Sequence, residues 1–298
     1  MTPQAESGAD APTKQVRENV KDTDFPGPNG PIPARLYGAP TSTGPVLMWL
    51  HGGSFSHGDL DMPEAHDVGL GLAARGVHVI SVDYRRVPPW SPFRKPRPGK
   101  LPGVRFPVPV DDVTAAFDAV ALSASDSGRP GSRIALGGAS AGACLAAAAT
   151  WGLSKGRERP SSLVLAYPTV HAQLPPMQPE LKKKLRGVRG LWQFTPATVE
   201  RMNRNYAGSL GAMTDPRAFP GGADLSTFPK ALILNAEFDS LRASGDAFAS
   251  ELAAHHVPVE NEYLPGTRHG FLNKPGTTGM NAGLDRIASW LHASTSAA

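Results

Sequence analysis

Three residues that lie far apart in the chain have the types that a nucleophilic hydrolysis needs. Ser140 stands between Gly138 and Gly142, the Gly-x-Ser-x-Gly spacing of a sharp strand-to-helix turn that exposes a serine hydroxyl. That hydroxyl becomes a strong nucleophile only when a histidine takes its proton and an acid orients the histidine. Asp239 follows the strand-like run KALILNA, and His269 follows NEYLP. The chain therefore predicts the order serine, acid, histidine.

Two other acids compete with Asp239 for the orienting role. Glu237 lies two residues earlier, on the strand end, and Asp246 lies in the helix that follows. Asp239 is preferred because it comes just past the end of its strand. Taken singly, each residue has an ordinary interpretation: aspartates after strands often cap helices, and histidines such as His255 and His256 serve a helix end. The combination in the correct order is what indicates catalysis.

The segment HGGSFSHGD at 51–59 supplies a fourth component. The carbonyl oxygen of an attacked ester becomes negative and needs donors that already point at it. Two adjacent glycines allow the backbone N–H groups of Gly52 and Gly53 to turn toward such an oxygen, and the N–H of Ala141, directly after the nucleophile, would be the third donor. The simpler interpretation of HGG is a plain turn.

Apolar runs of strand length alternate with helical segments along most of the chain. Strands rich in branched residues, separated by helices, predict a parallel sheet that is covered on both faces. The region around Val20 and the segment ARLYG at 34–38 are expected to add antiparallel edge strands. The expected fold class is α/β, with a mostly parallel eight-stranded sheet flanked by helices. The runs that carry this prediction are PVLMWL (45–50), VHVISVDY (77–84), SRIALGG (132–138), SSLVLAYP (161–168), KALILNA (230–236) and VPVENEYLP (257–265).

Composition excludes several classes of protein. With 298 residues, 40% hydrophobic residues and a net charge of +4, the chain has the composition of an ordinary globular protein without a broad basic field for nucleic acid. Cys144 is the single cysteine, which excludes an intrachain disulfide and cysteine-rich zinc sites. No signal peptide or membrane-length apolar run is visible. We expect a cytoplasmic protein without metal, cofactor, nucleic-acid or membrane partners.

Two segments depart from the alternating pattern. Residues 169–226 contain prolines and only patchy helical periodicity, and a connection of that length indicates a cap inserted over the sheet edge. A flexible N-terminal segment, or part of the cap, is expected at 1–18, and the catalytic domain at 19–298. The basic, proline-rich loop at 92–107 is expected either as a solvated surface loop or as a rigid rim of the site.

At the level of motifs, the chain resembles the bacterial hormone-sensitive-lipase-like esterases of the α/β-hydrolase superfamily. The resemblance implies hydrolysis of small carboxylic esters, usually with short acyl chains and without a cofactor, by Ser140, Asp239 and His269; the family often forms dimers, which leaves a homodimer open. The matching pieces are PGPNGPIPARLY (26–37), HGGSF (51–55), SVDYR (81–85), FPVPVDDV (106–113), GGASAGA (137–143), YP (167–168), EFDSLR (237–242) and RHGF (268–271).

Four positions depart from the family pattern. Ser54 and Ala143 stand where the family usually has glycine, and Ala139 and Ala243 where it has an acid. None of the three expected catalytic residues is affected. The same triad would serve an amidase or a lactonase, because the nucleophile does not reveal the leaving group. A non-catalytic, ligand-binding relative is the rival of a different class, and the intact His269 argues against it.

Overall fold

An eight-stranded sheet runs through the centre of the protein, whose computed structural model describes residues 16, 19–38, 44–90, 102–126, 134–153, 158–187 and 193–296. The strand order is β1-β2-β4-β3-β5-β6-β7-β8. The pairs β1–β2 and β2–β4 are antiparallel, and the others are parallel. The strands are β1 (Lys21–Phe25), β2 (Ile32–Tyr37), β3 (Val46–Leu50), β4 (His78–Val82), β5 (Ile134–Ala139), β6 (Ser162–Ala166), β7 (Ala231–Phe238) and β8 (Val259–Arg268).

Helices cover both faces of this sheet, as its apolar strands require. Helices α2 and α3 pack against each other on one face, and α1 and α7 pack together on the other. The predicted fold, including its eight strands and the antiparallel edge, is confirmed. The helices are α1 (His66–Ala73), α2 (Val108–Asp126), α3 (Ala141–Leu153), α4 (Pro179–Lys184), α5 (Pro196–Ala207), α6 (Arg242–Ala254) and α7 (Thr278–Ser296).

Parallel pairing places the carboxyl ends of β3, β5, β6, β7 and β8 at one edge of the sheet. Leu50 pairs with Gly138, and Ala139 pairs with Ala166, so the ends of three strands are aligned. In open parallel sheets this edge is where ligands bind. Ser140, the residues after β7 and those after β8 therefore meet there.

Helical segments occur within 169–226, the segment for which a cap is expected. They are α4, α5 and a 3₁₀ turn at Gly211–Thr214. Helix α5 begins at a proline, its N-cap Thr195 accepts from the N–H of Thr198, and it ends at Gly208 in the left-handed conformation, a common helix end. Most of the proline-rich loop, 91–101, lies outside the described residues, as do residues 1–15, 17 and 18.

Candidate active site

Ser140 lies in the sharp turn between β5 and α3. Its backbone is left-handed, with φ of +53°, a conformation that few residues other than glycine adopt. The N–H of Ser140 donates to the carbonyl oxygen of Ala166 at 2.9 Å, which ties the turn to β6. The side chain is 8% exposed. The predicted strand–serine–helix turn is therefore present, with the strain that such turns store at functional sites.

The glycines around the serine are required by close backbone approach. A Cβ on Gly142 would lie 2.3 Å from the carbonyl oxygen of Leu50 and 2.4 Å from that of His51, both at the end of β3. A Cβ on Gly138 would lie 2.7 Å from the Leu50 oxygen. Real Cβ atoms do not approach backbone oxygens so closely, so the turn and β3 can pack only without side chains at these two positions.

We expect Gly142→Ala to destabilise the protein by roughly 3 kcal/mol, because two backbone carbonyls would have to move. Gly152→Ala is the matched control on the same helix: a Cβ there meets nothing within 4 Å. That change is expected to raise the free energy of unfolding by up to about 1 kcal/mol through helix propensity. Urea unfolding of both variants measures the difference. Equal stability of the two would contradict the packing argument.

The structure brings Ser140, His269 and Asp239 into one hydrogen-bonded line. Oγ of Ser140 lies 3.0 Å from Nε2 of His269. Nδ1 of the same ring lies 2.7 Å from Oδ2 of Asp239. Asp239 is fully buried, and its other oxygen accepts from the N–H of Leu241 at 2.9 Å. A carboxylate at Nδ1 holds the proton there, which leaves Nε2 free to accept the proton of the serine.

The two competing acids are engaged elsewhere. Glu237 accepts from Nζ of Lys184 at 2.7 Å. Asp246 accepts from the hydroxyl of Tyr263 at 3.0 Å. Neither carboxylate is the hydrogen-bond partner of the histidine, whereas Asp239 is. The geometry therefore agrees with the preference for Asp239.

His269 is enclosed by aromatic rings and negative charge. Tyr167 and Phe194 contact its ring edge-on, with centroids at 5.0 and 5.1 Å. Burial disfavours the charged imidazolium and by itself lowers the pKa. The charge and hydrogen bond of Asp239, with the charge of Glu64, outweigh burial, so the pKa of His269 lies above its ordinary value of 6.5.

The HGG loop after β3 lies against the serine turn, but the N–H of its first glycine already donates to another side chain. The N–H of Gly52 donates to Oε2 of Glu64 at 2.6 Å, which takes Gly52 out of the expected set of oxyanion donors. Gly53 has φ of +104° and Ser54 has φ of +54°, so the serine that replaces a family glycine keeps a conformation typical of glycine. Ala141 is the first residue of α3, where an N–H has no acceptor inside the helix.

Glu64 is a buried residue near the site that sequence reasoning missed. It is 1% exposed and accepts hydrogen bonds from Gly52, Tyr167 and Asn273. Asn273 follows β8 by a few residues, far from Glu64 in sequence. The pattern held no signal for this residue, because an acid just before a helix is ordinary.

Metal ligation and membrane insertion find no support in the described residues. Across these ranges, no group of three or more His, Cys, Asp or Glu side chains is placed to hold a metal ion. None of the helices described is long and apolar enough to span a bilayer.

Comparisons with known proteins identify relatives of this chain. A family model described as alpha/beta hydrolase fold matches residues 99–273. Carboxylic ester hydrolase LipN of Mycobacterium tuberculosis is 34% identical over 275 residues, covering 88% of this chain and 66% of LipN. Ethyl acetate hydrolase of Pseudomonas putida is 31% identical, covering 81% of this chain and 71% of that protein.

Solved structures give the same result. An esterase of Pyrobaculum calidifontis is similar with a TM-score of 0.77 and 30% identity, covering 92% of this chain and 85% of that one. The order of the strands, the serine turn and these similarities lead to one assignment. The chain belongs to the α/β-hydrolase superfamily, among the esterases that resemble hormone-sensitive lipase.

Proposed function

We propose that this protein hydrolyses carboxylic esters with short acyl chains through a covalent acyl-enzyme on Ser140. The observation that carries the proposal is the line of hydrogen bonds from Ser140 through His269 to Asp239. The names of the relatives support the substrate class: one is a carboxylic ester hydrolase and another an ethyl acetate hydrolase.

The first half of the reaction transfers the acyl group to the serine. Oγ of Ser140 attacks the ester carbonyl carbon while its proton moves to Nε2 of His269. Asp239 stabilises the imidazolium that forms. The carbonyl oxygen becomes negative, and the N–H groups of Gly53 and Ala141 are the proposed donors to it. The intermediate collapses, the C–O bond to the alcohol breaks, and His269 returns its proton to the leaving alcohol.

The second half frees the enzyme by the same groups. Water replaces the alcohol, gives its proton to Nε2 of His269, and attacks the acyl carbon. The bond to Oγ of Ser140 breaks, and the proton returns to that oxygen. The carboxylic acid leaves. One water is consumed, no atom is oxidised or reduced, and no cofactor takes part.

The segment 169–226 is proposed as a cap over this site. Support comes from residues just after the undescribed stretch 188–192. Gln193 accepts from the N–H of Ser240 at 2.8 Å, directly beside Asp239. The ring of Phe194 contacts His269. A segment bound to the acid's loop and packed on the histidine is placed to exclude water from the reacting groups.

A burst experiment tests the proposed function. p-Nitrophenyl acetate should give a burst of p-nitrophenol matching the concentration of enzyme if deacylation limits turnover, and a fluorophosphonate should label Ser140. A series of p-nitrophenyl esters of increasing chain length should show the highest kcat/KM at short chains. Matched anilides and lactones test the amidase and lactonase alternatives. No labelling and no turnover of any of these would favour the non-catalytic alternative.

The pH dependence follows from the raised pKa of His269. The neutral imidazole is the base, so kcat/KM is lost as the pH falls through the pKa of the free enzyme. Because that pKa lies above the ordinary 6.5, we expect the acid limb of the kcat/KM profile to have its midpoint above pH 6.5. Initial rates in a constant-ionic-strength buffer series measure it. A midpoint below 6, or a rate that falls from pH 6 to 8 in folded enzyme, would contradict a histidine base.

A further inference from the structure

A buried carboxylate stands outside the serine–histidine–aspartate line and has all its polar atoms paired. Oε2 of Glu64 accepts from the N–H of Gly52 at 2.6 Å. Oε1 accepts from the Tyr167 hydroxyl at 2.5 Å and from Nδ2 of Asn273 at 2.8 Å. Its own N–H donates to Oδ1 of Asn273 at 3.1 Å, and its carbonyl accepts from the indole of Trp49 at 2.8 Å.

These partners come from three separate segments of the site. Gly52 belongs to the loop after β3, beside the proposed oxyanion donor Gly53. Tyr167 is the residue after β6, and its ring packs edge-on against His269. Asn273 ends the 3₁₀ turn Phe271–Asn273, which follows His269. One carboxylate therefore joins the loop that would bind the oxyanion to Tyr167, which packs on His269, and to the 3₁₀ turn that follows His269.

The backbone at one of these contacts is strained, and another contact leaves no room for a side chain. Tyr167 has φ of +37°, which is costly for an aromatic residue and persists only when contacts hold it. Its hydroxyl bond to Glu64 is one such contact. A Cβ on Gly52 would lie 2.5 Å from Oε2 of Glu64 and 3.2 Å from Cβ of Ser140, so only a glycine fits between the strand end, this carboxylate and the serine.

We propose that Glu64 is a positioning residue that fixes the oxyanion loop and His269 relative to each other. This inference rests on the proposed function, since it concerns the same site. Glu64 acts through Gly52, Tyr167 and Asn273, and it does not itself contact the reacting atoms. Charge-assisted hydrogen bonds of this kind are short and directional, which suits a residue that must hold three segments in register.

The charge of Glu64 has a second effect. Its three donors are neutral groups, so no cation among these contacts cancels its charge. Among the residues that the structure describes, the titratable or hydroxyl groups that face His269 are Ser140, Asp239, Tyr167 and, through space, Glu64. Of these, Asp239 and Glu64 are negative and favour the imidazolium. Burial and the charge of Glu64 raise the pKa of Tyr167 well above its usual range, so Tyr167 stays neutral.

The test is Glu64→Gln, which keeps the shape of the side chain and removes its charge. Its NH₂ group cannot accept a hydrogen bond, so at one of the three contacts two donors would face each other. We expect kcat to fall by about 10- to 100-fold, as for other residues that orient catalytic groups. We also expect the midpoint of the kcat/KM profile to move to lower pH, because a negative charge near His269 is lost. Rates are divided by the concentration of serine that a fluorophosphonate labels.

Three controls separate positioning from general destabilisation. Glu64→Asp keeps the charge but shortens the side chain. Its kcat/KM profile should therefore have the wild-type midpoint, while its kcat should be reduced as in Glu64→Gln. Glu251→Gln removes a carboxylate that is bound to a different histidine, His171, at 2.9 Å, and should leave both the midpoint and kcat unchanged. If Glu64→Gln does not fold, Tyr167→Phe decides: it removes one bond to the carboxylate and keeps the ring, and kcat should fall several-fold.

A folded Glu64→Gln variant with kcat within two-fold of wild type and an unmoved midpoint would overturn the inference. So would Tyr167→Phe with wild-type kcat, where it is the deciding variant. Neither result would touch the proposed function, because that depends on turnover and labelling of the wild-type enzyme. Conversely, if the wild-type protein hydrolyses no ester, the proposed function is refuted before any Glu64 variant is measured.

Discussion

Replacing Ser140 with alanine is expected to lower kcat for p-nitrophenyl acetate by about 10⁵- to 10⁶-fold, close to the loss seen when a whole triad is removed. The hydroxyl oxygen is the atom that forms the bond to the acyl group, and no neighbouring group replaces it. The fold should be retained, because alanine keeps the small volume that the turn requires and loses only the bond to His269 at 3.0 Å.

A second serine provides a demanding control. Oγ of Ser244 lies 2.8 Å from Nδ1 of His171, whose Nε2 lies 2.9 Å from Glu251. The residue types match those of an active line, but Ser244 lies inside α6 and not in a strand-to-helix turn, and its Oγ accepts from the N–H of Val170. Ser244→Ala should keep turnover at wild-type level. Activity that survives Ser140→Ala but not Ser244→Ala would reverse the assignment of the nucleophile.

Replacing Asp239 with asparagine is expected to lower kcat by about 10⁴-fold while the protein stays folded. An amide can present its NH₂ group to Nδ1 of His269, which then has to be the unprotonated nitrogen. The ring proton moves to Nε2, and the histidine can no longer accept the proton of Ser140. The loss therefore comes from the wrong tautomer and leaves the shape of the site in place.

Glu237→Gln is the matched comparison for the aspartate. Glu237 is two residues away and is paired with Lys184, so its loss should change kcat by less than about ten-fold. The two variants are compared by single-turnover rates at pH 8 and by circular dichroism. Greater damage from Glu237→Gln than from Asp239→Asn would show that the acid was chosen wrongly.

The strands and the order of the site residues were predictable from local pattern. Runs such as VLMWL and HVISV are apolar, branched and of strand length, and they become β3 and β4. Because parallel strands end at one edge, a residue placed just after β7 and another just after β8 must converge on the turn after β5. Asp239 and His269 could therefore be paired with Ser140 without knowledge of distances.

Other parts of the molecule depend on contacts that no short window of sequence contains. Helix α2 (Val108–Asp126) begins inside a proline-rich stretch, and its start was not predicted. The N–H of Gly52 is taken by an acid whose partners also include Asn273, more than two hundred residues further along the chain. Hydrogen-bond partners at that separation are set by tertiary packing, so both the proposed role of Glu64 and the bond that engages the N–H of Gly52 could be recognised only in the structure.

Helix α3 has an electrostatic consequence for the proposed chemistry. It carries no charged residue and is buried along almost its whole length, Ala141–Leu153. Aligned peptide dipoles give its first turn about half a positive charge, and that end lies directly after Ser140. Mobile ions weaken fields at exposed surfaces but penetrate little into a buried helix. The proposed stabilisation of the negative intermediate by this helix is therefore expected to depend only weakly on the ionic strength of the medium.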